Sequence, residues 1–557
     1  MQPIDYRPSA ILATHEVSNQ PLPPGDRNLF EGDAALADAV RRLGGIERGS
    51  GAWTRLSEHG ERCGSVRTRD AGRLANRNPP ELRAFDRYGH RLDAVEFHPA
   101  YHELLGAGIA AGIASGPWAG TMTHLERAAL FHLSYQADAG TCCPMSMTFA
   151  AVPALLAEPG VAAEWLPRIL SGAYDPRMRP AGCKGGATIG MAMTEKQGGS
   201  DVRTNTTTAT PDGDGAYVLH GHKWFCSAPM SDAFLTLAQL DGALTCFLVP
   251  RWRPDGERNA IHLMRLKDKL GDRSNASSEI EYHGAHAVRV GERGRGVRTI
   301  VEMVHHTRLD CVVGSAAGMR SAVLEALAHA SQRTAFQKRL VDHPAMAKVL
   351  TDLAIESEAA TALAMRLAHA FDRAGDDPSE AALARLATPV AKYWVCKRQP
   401  GVVNEALECH GGAGFVEDGP MPLLFRQSPL NAVWEGSGNV IALDALRAVA
   451  RDPGTLDAVI AETADAAAID RRCAAHVAAL ERWRRPGALH DGTARRFCRD
   501  LALALGAAAL AATSTPAMLA AFCATRLGDG GPSGLYGEFT AEVALGELIE
   551  RAYRPRA

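Results

Sequence analysis

Three groups of residues in this chain have the types and spacing to do chemistry. The first is the run Trp434-Glu435-Gly436-Ser437-Gly438-Asn439, which sets one carboxylate between an aromatic ring and small or polar neighbours. A carboxylate in an apolar, water-poor pocket has a raised pKa and becomes a competent base. Taken alone, a glutamate beside glycine is the solvated carboxylate of a loop. The second is Met191-Ala192-Met193-Thr194-Glu195-Lys196-Gln197-Gly198-Gly199-Ser200-Asp201, where hydroxyls flank glycines that let backbone N–H groups approach a phosphate. By itself this too reads as a polar loop, here one entering a β domain. No GxGxxG follows a strand and no GxxxxGK occurs, so neither a Rossmann site nor a P-loop is indicated. The third is a set of arginines, Arg471, Arg472, Arg482, Arg484, Arg485, Arg495, Arg496 and Arg499, interleaved with Trp483 and Phe497 and opposed within the run only by Glu481 and Asp491. Such clustering can neutralise phosphates and gain from counterion release. Acids and bases balance over residues 451–557, so on charge alone the cluster is a solvated helix face.

The elements that must position these groups follow from periodicity. The turn-rich run Gln20 to Asp26 suits an extended arm. From Leu92 to Ile169 apolar residues recur at helical spacing, which predicts an all-helical block. Short runs then alternate with turn dipeptides: Tyr217 to His220, Ala233 to Gln239, Ala243 to Pro250, Ile261 to Leu266 and Ser277 to Tyr282, with Asp212-Gly213 and Asp241-Gly242 between them. These predict a compact antiparallel β domain. The helical period returns over Thr299 to Gln332, Pro344 to Ala374 and Glu380 to Leu407, as in a bundle. Arg451-Asp452-Pro453-Gly454 breaks the pattern before a last Ala-rich helical segment.

Composition bounds the function. A chain of 557 residues exceeds one ordinary core, and 46% hydrophobic with 22% charged residues is globular. A net charge of -3 excludes a uniformly basic nucleic-acid binder, so any DNA contact must be local. The twelve cysteines lack CxxC spacing, and adjacent Cys142 and Cys143 do not suit one zinc; no metal site is expected, and the thiols read as reduced and mostly buried. The N-terminal stretch lacks the basic start and long apolar run of a signal peptide, which predicts a cytoplasmic location. Leu501 to Ala512, stopped by Thr513-Ser514-Thr515-Pro516, falls short of the roughly 20 residues that span a bilayer and predicts a buried helix, so no membrane partner is expected.

Six motifs, in order, resemble those of the acyl-CoA dehydrogenase superfamily. MTEKQGGSD is similar to its TExxxGSD segment, and Gly221 to Ser227 to its GxKxWIT segment. Leu270 to Ser274 fits its inter-strand loop, Arg333 to Phe336 its RxxF signature, His410 to Phe415 its GGxGY turn, and Trp434 to Asn439 its aromatic-Glu-Gly segment. Asn19-Gln20-Pro21, Asn78 to Leu82, Lys267 to Gly271 and the added C-terminal segment look like the branch that serves the bacterial response to DNA alkylation. The resemblance implies an α+β fold: an arm (1–50), an N-terminal helical domain (51–188), a middle β domain (189–290), a C-terminal helix bundle (291–450) and a DNA-binding helical extension (451–557).

It also implies FAD and assigns roles. Met193 and Thr194 would touch the isoalloxazine ring, with Met191 beside them, and Ser200 would face the pyrophosphate. Phe225 holds the position where relatives set Trp against the flavin, Cys226 beside it would also contact the cofactor, and Ser227 holds the position of the Thr near flavin N5. Trp434 and Gly436, on either side of the base, would belong to the cofactor site, while Ser437 and Asn439 would meet the phosphate and ribose portion. Arg333 would reach the FAD of a neighbouring subunit, which implies a homo-oligomer, a tetramer by family habit. Glu435 would be the base for the α proton of an acyl thioester while hydride leaves the β carbon. Three departures stand out: Gln337 where relatives have Gly, Glu408 where Gln is expected, and Trp434 where many have Tyr. The implied function is an FAD-containing protein of the alkylation response that binds double-stranded DNA through the eight clustered arginines and keeps a weak or unidentified dehydrogenase activity on a small acyl-CoA. The alternative is a metabolic short- or branched-chain acyl-CoA dehydrogenase; a scaffold that has lost FAD is disfavoured by the intact flavin loops.

Overall fold

A computed structural model describes residues 9–528 and 534–554. Residues 9–28 run mostly exposed and without regular structure, as the turn-rich arm predicts. The arm ends sooner than residue 50, however. Helix α1 (Ala34–Gly44) is capped by the Asp33 carboxylate and buries Leu36, Ala39 and Val40. Helices α2 (Gly51–Gly64) and α3 (Val66–Arg77) follow, then an antiparallel hairpin of β1 (Glu81–Phe85) and β2 (Arg91–Glu96). The expected all-helical block therefore starts at α4 (Pro99–Ala110), because residues 92–96 close a hairpin instead. It continues through α5 (His124–Ala137), α6 (Ala139–Leu156) and α7 (Pro159–Ile169).

The β domain comprises β3 (Ile189–Ala192), β4 (Thr208–Pro211), β5 (Ala216–Ser227), β6 (Ala233–Leu240), β7 (Ala243–Pro250), β8 (Ile261–Leu266) and β9 (Ser277–Val290). Asp241 and Gly242 both take positive φ, 48° and 74°, the two-residue hairpin turn that their types favour. One expectation is corrected: the sheet is mixed, since β3 and β4 both pair with β6 in parallel. Each has only four residues, too few for a period to show, and parallel partners need long crossovers that leave no hairpin signature.

The bundle is α8 (Gly296–Gln332), α9 (Pro344–Arg373) and α10 (Pro378–Glu408), with a two-residue hairpin β10 (Thr334–Ala335) and β11 (Lys338–Arg339) between the first two. Pro344 and Pro378 sit in the first helical turn, where a missing N–H costs nothing. Helices α11 (Met421–Gln427) and α12 (Gly438–Arg451) complete this part. Beyond the break lie α13 (Gly454–Glu462), α14 (Ala464–Ile469), α15 (Arg471–Leu480), α16 (Ala494–Thr513), α17 (Pro516–Arg526) and α18 (Leu545–Ala552). The apolar tract 501–512 lies inside α16 and is nearly all buried. Helices α6 and α8 are long and apolar enough to cross a membrane, yet both are 89% buried in the fold, as core helices are. Of the twelve thiols only Cys183 is exposed.

Buried and half-buried ion pairs fasten the extension to the rest of the fold. Arg526 of α17 reaches Asp352 and Glu356 of α9, at 2.6 and 3.0 Å, and Arg398 of α10 joins Glu356 at 3.0 Å. Arg551 of α18 bonds Glu358 at 2.8 Å and Asp38 of α1 at 3.0 Å. A continuous apolar cluster runs through all these helices.

Candidate active site

Strand β3 leads into the second motif group and β5 ends in the Phe225–Ser227 segment, and alternation along each strand sorts its side chains. Met191 and Met193 pack against an apolar wall shared with Trp118 and Trp434, whereas Ala192 between them enters the β-domain interior. Likewise Phe225 is half exposed and Ser227 half buried, its Oγ 3.3 Å from Ser277 Oγ. Cys226 lies between them with no exposure and belongs to the β-domain core. Its thiol is therefore not a cofactor contact, because a strand cannot point three successive side chains to one face. Lys267 covers the ring of Trp224 from 3.1 Å.

Past Thr194 the chain turns back on itself: a Cβ on Gly199 would stand 2.6 Å from Thr194 Oγ1. Glu195 holds this turn and is itself 1% exposed. Its carboxylate accepts from Lys223 Nζ at 2.7 Å, from the Thr207 hydroxyl at 2.6 Å and from the backbone N–H groups of Thr206 and Thr207. Burial alone would raise its pKa, but the Lys223 ammonium and these donors hold it down at about 2. Ser200 follows and is exposed. Lys223→Met should destabilise the protein by about 3–5 kcal/mol, because a buried carboxylate is left without its cation. The sign of the pH dependence follows from the depressed value: Glu195 stabilises the fold above its ordinary titration range, and that contribution is lost as pH falls through 4.5 towards 2. Denaturant unfolding at neutral and acidic pH measures both; equal stability of the two proteins at neutral pH would refute the pairing.

Glu435 sits in the loop before α12 with φ = 57°, a left-handed conformation that a glutamate adopts only when its surroundings impose it. Three residues do so. Lys392, 2% exposed on α10, spends its three N–H donors on the carbonyls of Asn431, Trp434 and Gly436 at 3.0, 2.9 and 2.9 Å. Arg308 of α8 donates Nε to the Glu435 carbonyl at 3.1 Å and pairs with Asp444 of α12 at 2.7 Å. Thr307 donates its hydroxyl to Glu435 Oε2 at 2.7 Å. Burial pushes the Glu435 carboxyl above its ordinary pKa, against the Thr307 hydrogen bond and the Lys392 and Arg308 charges, which pull it down. The Trp434 indole is fixed by its N–H donating to Asn431 Oδ1 at 2.8 Å, and Asn431 donates in turn to Tyr135 and Ser315. Sequence reasoning does not single out Lys392, Thr307, Arg308 or Asn431. The one signal it offers is a lysine inside the apolar run Leu383 to Cys396.

Ser437 is the exposed N-cap of α12 and its hydroxyl makes no capping bond, so neither it nor exposed Asn439 answers the first-turn N–H groups. A helix start of this kind receives phosphate readily. Arg333 donates to the carbonyl of Asn19, and Asn19 bonds both the N–H and hydroxyl of Thr334, pinning the arm to the β10–β11 hairpin. At its tip Phe336 is 91% exposed, and Gln337 holds φ = 66°, which the glycine of relatives would take without strain. Glu408 is exposed and accepts from Asn404.

The arginine cluster divides. Arg472 pairs with Asp470, Arg482 and Arg499 both reach the buried Asp500, and Arg484 pairs with Glu481 and Asp457. Folding thus supplies three opposing acids beyond the two inside the run. Arg471, Arg485, Arg495 and Arg496 are exposed and form no ion pair among the described residues, although Arg495 lies over the Tyr393 ring. Trp483 and Phe497 are buried against each other, ring centroids 5.5 Å apart, so neither presents a face on which a base could stack.

Residues 19–176 match the family model of the adaptive response protein AidB N-terminal domain, residues 190–285 that of the acyl-CoA dehydrogenase middle domain, and residues 294–450 that of the acyl-CoA dehydrogenase C-terminal domain. The chain belongs to the acyl-CoA dehydrogenase family. Within it the chain is of the AidB type: it is 48% identical, over 450 residues, to the putative acyl-CoA dehydrogenase AidB of Escherichia coli, covering 80% of this chain and 82% of that one. Acyl-CoA dehydrogenase family member 11 of Caenorhabditis elegans is 32% identical over 76% of this chain and 71% of its own length. The crystal structure of C. elegans ACDH-11 in complex with C11-CoA superposes with a TM-score of 0.83 at 25% identity, over 94% of this chain and 95% of that one.

Proposed function

We propose that this protein carries FAD and works as an AidB-type flavoprotein of the alkylation response, with Glu435 as a base toward an acyl thioester and the extension as a contact for double-stranded DNA. The observation that carries the first part is that Met191, Met193 and Trp434 all pack half-buried against one apolar cluster, with Glu435, next to Trp434, held at φ = 57°. The residues present fit the cofactor: half-buried apolar side chains for a flat ring, and an uncapped α12 start beside Ser437 and Asn439 for phosphate. Bound FAD would supply the hydride acceptor. The chain's own part is to hold Glu435 at the α carbon, to fix the Trp434 indole through Asn431, and to keep water from the carboxylate.

A homotetramer in the cytoplasm belongs to the same proposal, supported by the family likeness and by Phe336, whose exposed ring at the hairpin tip suits a neighbouring subunit. DNA binding rests on the likeness to AidB and on the four exposed arginines that form no ion pair among the described residues. One observation favours the metabolic reading instead: the ACDH-11 likeness spans 94% of this chain, so it extends into α13–α18, and that relative was crystallised with an acyl-CoA. An extension of this shape is therefore compatible with acyl-CoA binding. Purified protein should be yellow with stoichiometric, noncovalent FAD, should bleach with a short acyl-CoA, and should retain duplex DNA. Colourless protein that FAD cannot reconstitute would refute the flavin; bleaching without DNA retention would favour the metabolic enzyme.

A further inference from the structure

The Thr307 hydroxyl has two acceptors and one proton. It lies 2.7 Å from Glu435 Oε2 and 3.1 Å from the Val304 carbonyl, one turn back on α8, and the residue is 4% exposed. A hydroxyl donates once but accepts through two lone pairs. The two contacts are therefore alternatives for the proton, and each matches one state of the carboxyl. When Glu435 is a carboxylate, Thr307 donates to it. When Glu435 is protonated, its O–H donates to Thr307 Oγ1, and the threonine proton turns to the Val304 carbonyl. No heavy atom moves and no buried polar atom loses a partner.

We propose that Thr307 is a positioning residue that keeps Glu435 hydrogen-bonded in both protonation states and sets its proton affinity. The proposal rests on the reading of Glu435 as the base. In that reading the α C–H bond of the substrate would break with its proton forming the O–H bond on Glu435 and its electron pair entering the new double bond, and bound FAD would supply the acceptor for the β hydride. Without Thr307 the newly formed acid would be a buried donor without an acceptor, which is costly. The groups facing Glu435 are Arg308 and Cys311 on α8, Lys392 on α10 and Cys143 on α6. The two cations favour the carboxylate, and Thr307 adds a charge-assisted bond that favours it further.

The test compares Thr307→Val, which keeps the shape and removes the hydroxyl, with Thr307→Ser, which keeps the hydroxyl and removes a methyl. The readout is the carboxyl stretch in infrared difference titration, assigned to Glu435 by its loss in Glu435→Gln, on protein that retains FAD and unfolds at the parental temperature. A bond to an ion is worth more than one to a neutral group, so Thr307→Val should raise the Glu435 midpoint by roughly one pH unit. Thr307→Ser should leave it where the parent has it. Any acyl-CoA bleaching should follow, with the pH profile of Thr307→Val moved upward and that of Thr307→Ser unmoved. An unshifted midpoint in Thr307→Val, or equal shifts in both variants, overturns the proposal. Bleaching that survives Glu435→Gln overturns the base assignment, and the infrared midpoints then still decide whether Thr307 governs this carboxyl. Should Thr307→Val unfold early, the contrast between Thr307→Ser and Thr307→Ala, read on the same band, decides it.

Discussion

Glu435→Gln should retain FAD and lose acyl-CoA-dependent flavin reduction, by about 10²–10⁴-fold if proton abstraction limits the step. The loop survives the change because its conformation is imposed from outside: Lys392 and Arg308 grip the carbonyls of residues 431, 434, 435 and 436, not the Glu435 side chain. The amide can still accept from Thr307. Stability should move the other way. The carboxyl is raised above its ordinary pKa by burial, so the stability it contributes is full below pH 4.5 and is lost as pH rises through the folded value. Holding the charge therefore costs stability at neutral pH, and Gln should raise the unfolding temperature there but not near pH 4. Stopped-flow bleaching and thermal melts at two pH values read both effects. Parental bleaching in the variant would mean that another residue takes the proton.

How much of this is legible in the sequence depends on whether the determinant is local. Strands β7 and β8 and the start of α9 fall on the residues that short runs bounded by turn residues and Pro344 mark, and α10 begins two residues early at Pro378. Local turn chemistry also places the hairpin at Asp241-Gly242. The parallel partners of β6 are not legible, because pairing across long crossovers leaves no mark within a four-residue strand. At the site, motif spacing locates Glu435, but the groups that set its conformation come from α8 and α10. Lys392 is matched not to an acid but to three carbonyls about forty residues further on, a partner type that charge patterning cannot reveal. Cys226 shows the converse error: motif adjacency puts it beside the cofactor, and strand alternation takes its thiol away. The arginine run looks nearly unopposed because Asp457, Asp470 and Asp500 lie outside it in sequence and pair with its arginines in the fold.

That division of the arginines turns the DNA prediction into a comparison of two quadruple variants. Arg471, Arg485, Arg495 and Arg496 stand exposed without ion pairs among the described residues, whereas Arg472, Arg482, Arg484 and Arg499 are engaged with acids of their own domain. Two of the unengaged arginines, Arg495 and Arg496, occupy the first turn of α16, where a cation opposes the helix dipole and gains nothing for stability. If these four meet phosphates, replacing all of them by Ala should weaken binding to every duplex alike and lower the log-affinity versus log-salt slope by roughly 0.9 for each phosphate no longer neutralised. FAD content should not change, since the flavin-facing loops lie elsewhere in the chain. The second set should behave differently: an arginine already paired releases fewer counterions on meeting DNA, so Arg472, Arg482, Arg484 and Arg499 replaced by Ala should change the slope less while costing more stability, chiefly by uncovering the buried Asp500. Salt titration of duplex binding and melting temperature separate the two quadruples on independent axes. A first quadruple that keeps the parental affinity and slope would make the cluster a solvated face, and DNA contact would have to be sought on another surface of the fold.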